Sequence, residues 1–526
     1  MPASGSIALL GSRGAGMTAL GEILADRGHS LIGFDQAVSA PTGSALAASA
    51  PLHTVSKGGN QTYQLPVSPA DTTQSIQQSH LLQTHSWNWN AALAANSVVC
   101  ICSPAVKHDD PLRQGFVDAG IPTISLHEAL NSVFANCHQV CVAGTHGKST
   151  TTSMLAWIME HQGNDPGYFI GAKFQHSGRS GKSQKLISAQ PESQRSQQQT
   201  AIIESCEFNR SFHQLSPSTI VLTGLERDHF DCFNNQQAED DAFLKLLQRL
   251  PANGSVIYNA DCHRTAKLVR AINHPSIACR MQGPPTNKRS GPSLCAVPHA
   301  SESLTECQVA NFQQLQFGIR FDVHFESQQV DVKLPVYGRH NATNAVQAIA
   351  AAVSRGLSLT SAAQALSSFP GIERRFQYRG SVRGMQLIDD YAHHPTAVRT
   401  TLQAARKKFP KQELRVCFEP HQLIRLAQLQ DDFVDALSLA DMVYVLPVLA
   451  ARESASTSKC HQESHKLIIR LRSRGTSAFF SPNLDHVVRT VDHSANPNAV
   501  LLTMGAGSTH LIHDKLTHSI RRYSVA

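Results

Sequence analysis

The chain has 526 residues, 41% hydrophobic and 16% charged, with a net charge of +7. That length is too great for one core and predicts about three domains of ordinary size. The basic residues are scattered rather than blocked, which excludes a nucleic-acid-binding tail and suits anionic small molecules, and no segment is apolar for long enough to span a membrane.

The first stretch reads strand–turn–helix–strand. SIALL is a strand, GSRGAGM (11–17) a glycine turn, TALGEILADRG a helix ending at Gly28, and HSLIGFD a strand ending at Asp35. The turn is GxxGxG, not the dinucleotide pattern GxGxxG. Its N–H groups are suited to a pyrophosphate at the helix N-terminus, and the same pattern also serves as a tight turn with no ligand. Asp35 either accepts a ribose hydroxyl or simply ends its strand. Residues 38–79 turn to Ser, Thr, Gln, Ala and Pro and read as a flexible insertion. Order returns with the strand SVVCICSPAV (97–106), the helix PLRQGFVDAG and the strand IPTIS.

A second unit opens near residue 131 with the strand HQVCVAG, the loop GTHGKST and the helix TTSMLAWIMEHQG. AIIES (201–205), TIVLTGL (219–225) and GSVIYNAD (254–261) are further buried strands, interrupted by polar stretches over 176–200 and 283–303. HNATNAVQAIAAAVSRG (340–356) is an Ala-rich helix with a glycine stop. After Pro370 and Gly371 a third series follows, with strands MQLIDDY, LRVCFEP, DMVYVLPV and AVLLTMG. Strands alternating with helices imply parallel sheets covered on both faces, so the expectation is three α/β domains, over 1–130, 131–371 and 372–526.

VCVAGTHGKSTTTSML (140–155) is the strongest single motif. A full Walker loop wants a glycine where this chain has Val142, but the strand before and the helix after are those of a phosphate loop. Gly144 and Gly147 allow the backbone angles and close approach a phosphate needs, Lys148 supplies a point charge, and the Ser149 hydroxyl suits Mg²⁺. Glu204 ends the strand AIIES, and Asp228 and His229 follow the next strand, so candidate metal ligands sit at carboxyl ends of neighbouring strands. DDYAHHP (389–395) crowds two acids, a tyrosine and two histidines at the end of a third-domain strand. The twelve cysteines show no CxxC spacing and read as free thiols of a reducing cytosol, and the N-terminus has no signal-peptide pattern, so a cytoplasmic protein is expected.

In order along the chain, GTHGKSTTT, ESCEFNRSF (204–212), RDHFD, YGRHNATNA, GIERRFQ, DDYAHHPT and TMGAG resemble the Mur ligases, the ATP-dependent ligases that build the peptide stem of peptidoglycan. The resemblance implies an N-terminal Rossmann-like UDP-binding domain, a central P-loop ATPase-like domain with a mixed sheet, and a C-terminal Rossmann-like domain. It implies addition of L-alanine to UDP-N-acetylmuramate with ATP and Mg²⁺, through an acyl phosphate, by a monomer or homodimer. By the same resemblance Gly11, Gly14, Ala15, Gly16, Met17 and Asp35 receive the UDP-sugar. Gly144, Thr145, His146, Gly147, Lys148, Ser149 and Thr150 hold the ATP phosphates. Ser149, Glu204 and His229 bind Mg²⁺; His340, Asn341 and Asn344 hold adenine; Asp390 meets the ribose; and Arg375 reaches the γ-phosphate. His393, His394 and Arg425 face the amino acid, with His394 as the base for its ammonium.

Two departures stand out. The family's E-x-D-E-S-D appears as ESCEFN, so two carboxylates are replaced by Cys206 and Asn209, and F-x-P-H-R-Y-S-R appears as FEPHQLIR (418–425), with one arginine lost. A recycling ligase that adds a tripeptide to the same sugar nucleotide is the nearest rival. A dinucleotide oxidoreductase and a non-catalytic nucleotide-binding homologue are the others. The directness with which SFHQLSP follows the acidic cluster favours the alanine-adding reaction.

Overall fold

A computed structural model describes residues 5–35, 61–64, 81–85, 96–185, 199–282 and 305–523. Three sheets carry the chain, of six, ten and six strands. In the first, Ser6–Leu10 lies between Ser30–Phe34 and Ser97–Cys102, parallel to both. Its strands are nearly continuous apolar runs because helices cover them, Ala15–Asp26 among these. The insertion expected over 38–79 falls mostly outside the described residues, but a correction applies within it. Gln61–Gln64 is a strand paired antiparallel with Leu81–His85, which extends this sheet.

The central sheet places His138–Ala143 between Thr200–Glu204 and Thr219–Leu222, all parallel. The three strands end together, so the groups that follow them converge on one edge. Beyond Ser276–Met281 the sheet departs from the parallel pattern that strand–helix alternation implies and follows the mixed sheet that the family resemblance implies. Thr305–Leu315, Gly318–Phe325 and Gln328–Leu334 form an antiparallel meander, which makes the sheet mixed. Gly318–Phe325 and the second half of Gln328–Leu334 alternate buried with more exposed residues, and the apolar face of the meander packs on the Ala-rich helix Arg339–Ser354. The third sheet is parallel except for its edge strand Gln377–Val382.

The first two sheets are locked together through the helix Ala15–Asp26. Glu22 accepts the N–H groups of Ser180 and Gly181 at 2.8 and 2.6 Å, and Asp26 takes Arg179 at 2.7 Å. A Cβ on Gly181 would lie 2.0 Å from the carbonyl oxygen of Ala19, so only glycine permits this approach. Among the described residues no helix is long and apolar enough to cross a membrane.

Candidate active site

The central loop is wedged into place by its glycines. Gly144 (φ 132°) and Gly147 (φ 80°) have backbone angles that favour glycine. A Cβ at Gly144 would sit 2.3 Å from Thr223 Oγ1, and one at Gly147 2.3 Å from Asn344 Oδ1. Asn344 is itself held by Asn341 at 3.1 Å, and Asn341 by the Tyr337 carbonyl at 2.7 Å. Asn341 and Asn344 therefore brace the loop, while His340 stands exposed on the same helical turn.

Lys148 donates to the carbonyl of Thr145 at 3.3 Å and pairs with Glu207 at 3.0 Å. Ser149 donates to Glu204 at 2.9 Å, whose other oxygen accepts the Gly171 N–H at 2.6 Å. His229 (φ 49°) meets Glu207 through Nε2 at 3.3 Å, and among the described residues its buried Nδ1 has no partner. Lys148, Ser149, Glu204 and His229 are thus brought together as the sequence reading expects. Glu207 joins Lys148 to His229 and carries no role in that reading. Its signal was present, because it is an acid that the altered ESCEFN motif keeps.

The charges support one another. Burial works to raise Glu207, but Lys148 and His229 bring it below the usual carboxylate value. Burial works to lower Lys148 and His229, and the carboxylates around them raise both. Cys206 belongs to this cluster: burial first, then Glu207, pushes its thiol up to about 12, so it is a neutral neighbour of Lys148. Asn209 (φ 52°) accepts from Cys232 at 3.6 Å, in the segment that follows His229.

The third domain reaches this edge through several contacts, among them Arg452 and Gln422 on Asp231 at 2.9 and 3.2 Å. Arg425 is buried and donates to Asp228 Oδ1 from Nε (2.8 Å) and Nη2 (2.6 Å), while Nη1 meets His421 at 2.8 Å. Burial favours the neutral acid at Asp228, but Arg425 beside it holds the carboxyl far below the usual range. Arg425 therefore clamps the two domains in this arrangement. His394 meets Glu226 at 3.4 Å and the Arg227 carbonyl at 3.3 Å. His393 is turned to the Tyr391 carbonyl at 2.9 Å. Arg375 lies over the Tyr391 ring with a buried, unpartnered Nε among the described residues. Asp390 spends its two oxygens on the N–H groups of Phe376 and Ala392, each at 2.8 Å, and so shapes the loop that carries Arg375.

The N-terminal turn is built differently. Gly11 and Ser12 donate to the Phe34 carbonyl at 2.8 and 3.1 Å, and Arg13 N–H donates to Asp35 at 2.8 Å. Asp35 thereby ties the turn to the neighbouring strand. Gly14 caps the helix that starts at Ala15. Gly16 packs against Leu126, and the Met17 side chain is buried in the core, so Met17 offers a ligand only its backbone.

A loop with two positive-φ glycines, a lysine and facing acids at the ends of parallel strands defines a nucleotide-using enzyme of three α/β domains. Family profiles narrow this. Residues 6–137 match the Mur ligase family, catalytic domain; 142–352 the Mur ligase middle domain; and 374–507 the Mur ligase, glutamate ligase domain. The UDP-N-acetylmuramate–L-alanine ligase of Agathobacter rectalis is 30% identical over 78% of this chain and 82% of its own length. The enzyme of that name from Roseiflexus sp. is 28% identical over 98% of this chain and 99% of its own. The chain belongs to the Mur ligase family. Its fold is shared with a murein peptide ligase from Psychrobacter arcticus (TM-score 0.68, 24% identity, 98% of both chains) and with UDP-N-acetylmuramate–alanine ligase from Thermotoga maritima (TM-score 0.68, 20% identity, 99% and 100%).

Proposed function

We propose that this chain is an ATP-dependent ligase that joins L-alanine to UDP-N-acetylmuramate in peptidoglycan synthesis. The observation that carries the reading is the convergence of Lys148, Ser149, Glu204, Glu207 and His229 on one sheet edge, in a chain whose named relatives are alanine ligases over most of their length. In this reading the N–H groups and Lys148 of the central loop hold the ATP phosphates, and the turn at 11–17 receives the sugar nucleotide. The muramyl carboxylate attacks the γ-phosphorus and ADP leaves, giving an acyl phosphate. The amine of L-alanine then attacks the acyl carbon, and phosphate leaves. Lys148 and Arg375 offset the charge that develops on the transferred group, and positioning supplies the rest.

The residues present fit a magnesium ion. A hard cation is matched by the Ser149 hydroxyl and the Glu204 carboxylate, 2.9 Å apart. His229 has Nδ1 free among the described residues while Nε2 rests on Glu207, an arrangement that orients a ligating imidazole. When bound, the ion would draw charge from the β- and γ-phosphate oxygens. His394 is proposed as the proton acceptor for the ammonium: burial lowers it to about 4, so it is neutral at physiological pH. The Arg425–Asp228 clamp is proposed to hold the domains closed, which keeps water from the acyl phosphate.

The test is phosphate release with UDP-N-acetylmuramate, ATP and Mg²⁺. Release that depends on added L-alanine is expected. Release that depends instead on L-alanyl-γ-D-glutamyl-diaminopimelate would assign the recycling reaction, and no release with either would leave a non-catalytic homologue.

A further inference from the structure

A second cluster, outside the Ser149–Glu204 pair, brings together His146, Glu226 and His394. One ligand atom from each lies within 4.8 Å of the others. Glu226 Oε2 is 3.0 Å from His146 Nε2 and 3.4 Å from His394 Nδ1, and the two imidazole rings are 4.7 Å apart.

Hydrogen bonding fixes the protons on His394. Its Nε2 lies 3.3 Å from the carbonyl of Arg227, which can only accept, so Nε2 carries the hydrogen. Its Nδ1 accepts the N–H of Thr396 at 3.4 Å, where it caps the helix Pro395–Lys408. Nδ1 therefore holds a lone pair, and that lone pair meets a carboxylate oxygen. Burial, which lowers His394 to about 4, opposes relief of this contact by a second ring proton. Two acceptors face each other in a partly enclosed place, and a cation between them is what would reconcile them.

Distance decides which cation. A tetrahedral metal ion with bonds near 2.0–2.1 Å sets its ligand atoms about 3.4 Å apart. A substrate ammonium, donating over about 2.9 Å, sets its acceptors about 4.7 Å apart. The Glu226–His394 separation of 3.4 Å matches the metal, while the 3.0 Å between Glu226 and His146 is a hydrogen-bond length that ion binding would open. Two imidazole nitrogens and one carboxylate suit borderline ions such as Zn²⁺ and Co²⁺ rather than Mg²⁺, which wants oxygen. The surrounding structure steadies the ligands as metal sites require. The Arg227 carbonyl orients His394, and the Thr145 hydroxyl exchanges hydrogen bonds with the Glu226 main chain at 3.0 and 3.1 Å. A cleft of about 410 Å³ lined by Glu226, His394, Thr396, Arg399 and Asp432 gives access.

We propose that His146, Glu226 and His394 form a binding site for a transition-metal ion of the Zn²⁺ or Co²⁺ class, and that the bound ion clasps the third domain to the phosphate loop. This site goes beyond the ligase reading and is an alternative to the proton-acceptor role of His394, because the one lone pair at Nδ1 cannot both hold an ion and take a proton. Its Co²⁺ readout needs no ligase turnover.

The experiment titrates tag-free, full-length protein with Co²⁺ in a large excess of Mg²⁺ and reads the visible absorption of the ion. A saturable band of tetrahedral intensity is expected, displaced by Zn²⁺, lost in Glu226→Gln and in His394→Gln, and retained in His229→Gln. Circular dichroism of each variant checks that the fold is kept, and His146→Gln serves where one of the first two does not fold. A band that survives both Glu226→Gln and His394→Gln, or one lost in His229→Gln alone, would overturn the proposal. So would absence of any band together with weakened L-alanine binding in Glu226→Gln, which would give the cluster to the substrate ammonium.

Discussion

Two glycine turns open two helices in this chain, and they use their N–H groups in opposite ways. In the turn at 11–14 the N–H groups of Gly11, Ser12, Arg13 and Gly14 are all spent on the protein, three of them on the adjoining strand and its terminal Asp35. In the loop at 144–149 Thr145 N–H is bound to Gly224, but among the described residues no main-chain acceptor takes those of His146, Gly147, Lys148 and Ser149. The first turn is held in shape by its own hydrogen bonds and those to the adjoining strand. The second is held from outside, by Thr223 and Asn344, and its donors are left for the anion that the proposed function places there. A glycine pattern alone does not separate these cases; the partners of the N–H groups do.

The largest expected effect is at Lys148. Lys148→Ala should lower turnover on the order of 10³-fold while circular dichroism shows the fold kept, because the role proposed for the lysine is to offset the charge on the transferred group. Retained turnover in a folded variant would remove the loop from the chemistry. Next is the distant clamp. Arg425→Ala leaves Asp228 buried without its partner and should cost about 3–5 kcal/mol in chemical denaturation. No comparable loss is expected on disturbing the N-terminal turn, which has no such remote support.

The glycines themselves give a sharper contrast. Gly147→Ala combines a left-handed backbone with a Cβ driven into Asn344, and should cost about 1–3 kcal/mol and raise the KM for ATP. Gly14→Ala meets only the Gly11 carbonyl at 3.3 Å, at an ordinary φ of −63°, and should be the milder change in both respects. Equal effects on thermal melting and on ATP saturation would erase the distinction between the turns.

The smallest effect is one of pH. His127 lies buried on the helix Leu126–Val133, whose Leu126 packs under Gly16, and burial lowers it from 6.5 to about 4. Between those values the unfolded chain binds a proton that the fold refuses, so stability falls as pH drops from about 6.5 to about 4. At the central loop the sign is the same but the window lies lower. Glu207 and Asp228 are held below their usual values, so their contribution is present above the ordinary carboxylate range and is lost only on further acidification. Melting curves across pH should flatten in this window for His127→Leu and not for a central-loop variant such as Lys148→Ala.

What was legible in the sequence was what local pattern encodes. Apolar runs marked the parallel strands, and GTHGKST with Glu204 and DHFD marked the strand-end site. The meander over 305–334 escaped because its strands carry polar residues on an open face and so lack the continuous apolar run. Glu207 escaped because ESCEFN drew attention to the acids it had lost. Glu226 and the closure of Arg425 on Asp228 depend on residues 168 and 197 positions apart in the chain, and no local spacing reports such pairs.

The central claim is that the 144–149 loop delivers the γ-phosphate of ATP to a carboxylate. It is tested most directly by isotope transfer. UDP-N-acetylmuramate carrying ¹⁸O in its carboxylate is turned over with unlabelled ATP and L-alanine, and the released phosphate is analysed by mass spectrometry. An acyl phosphate requires one labelled oxygen to pass into the phosphate. Product formed with wholly unlabelled phosphate would contradict the account.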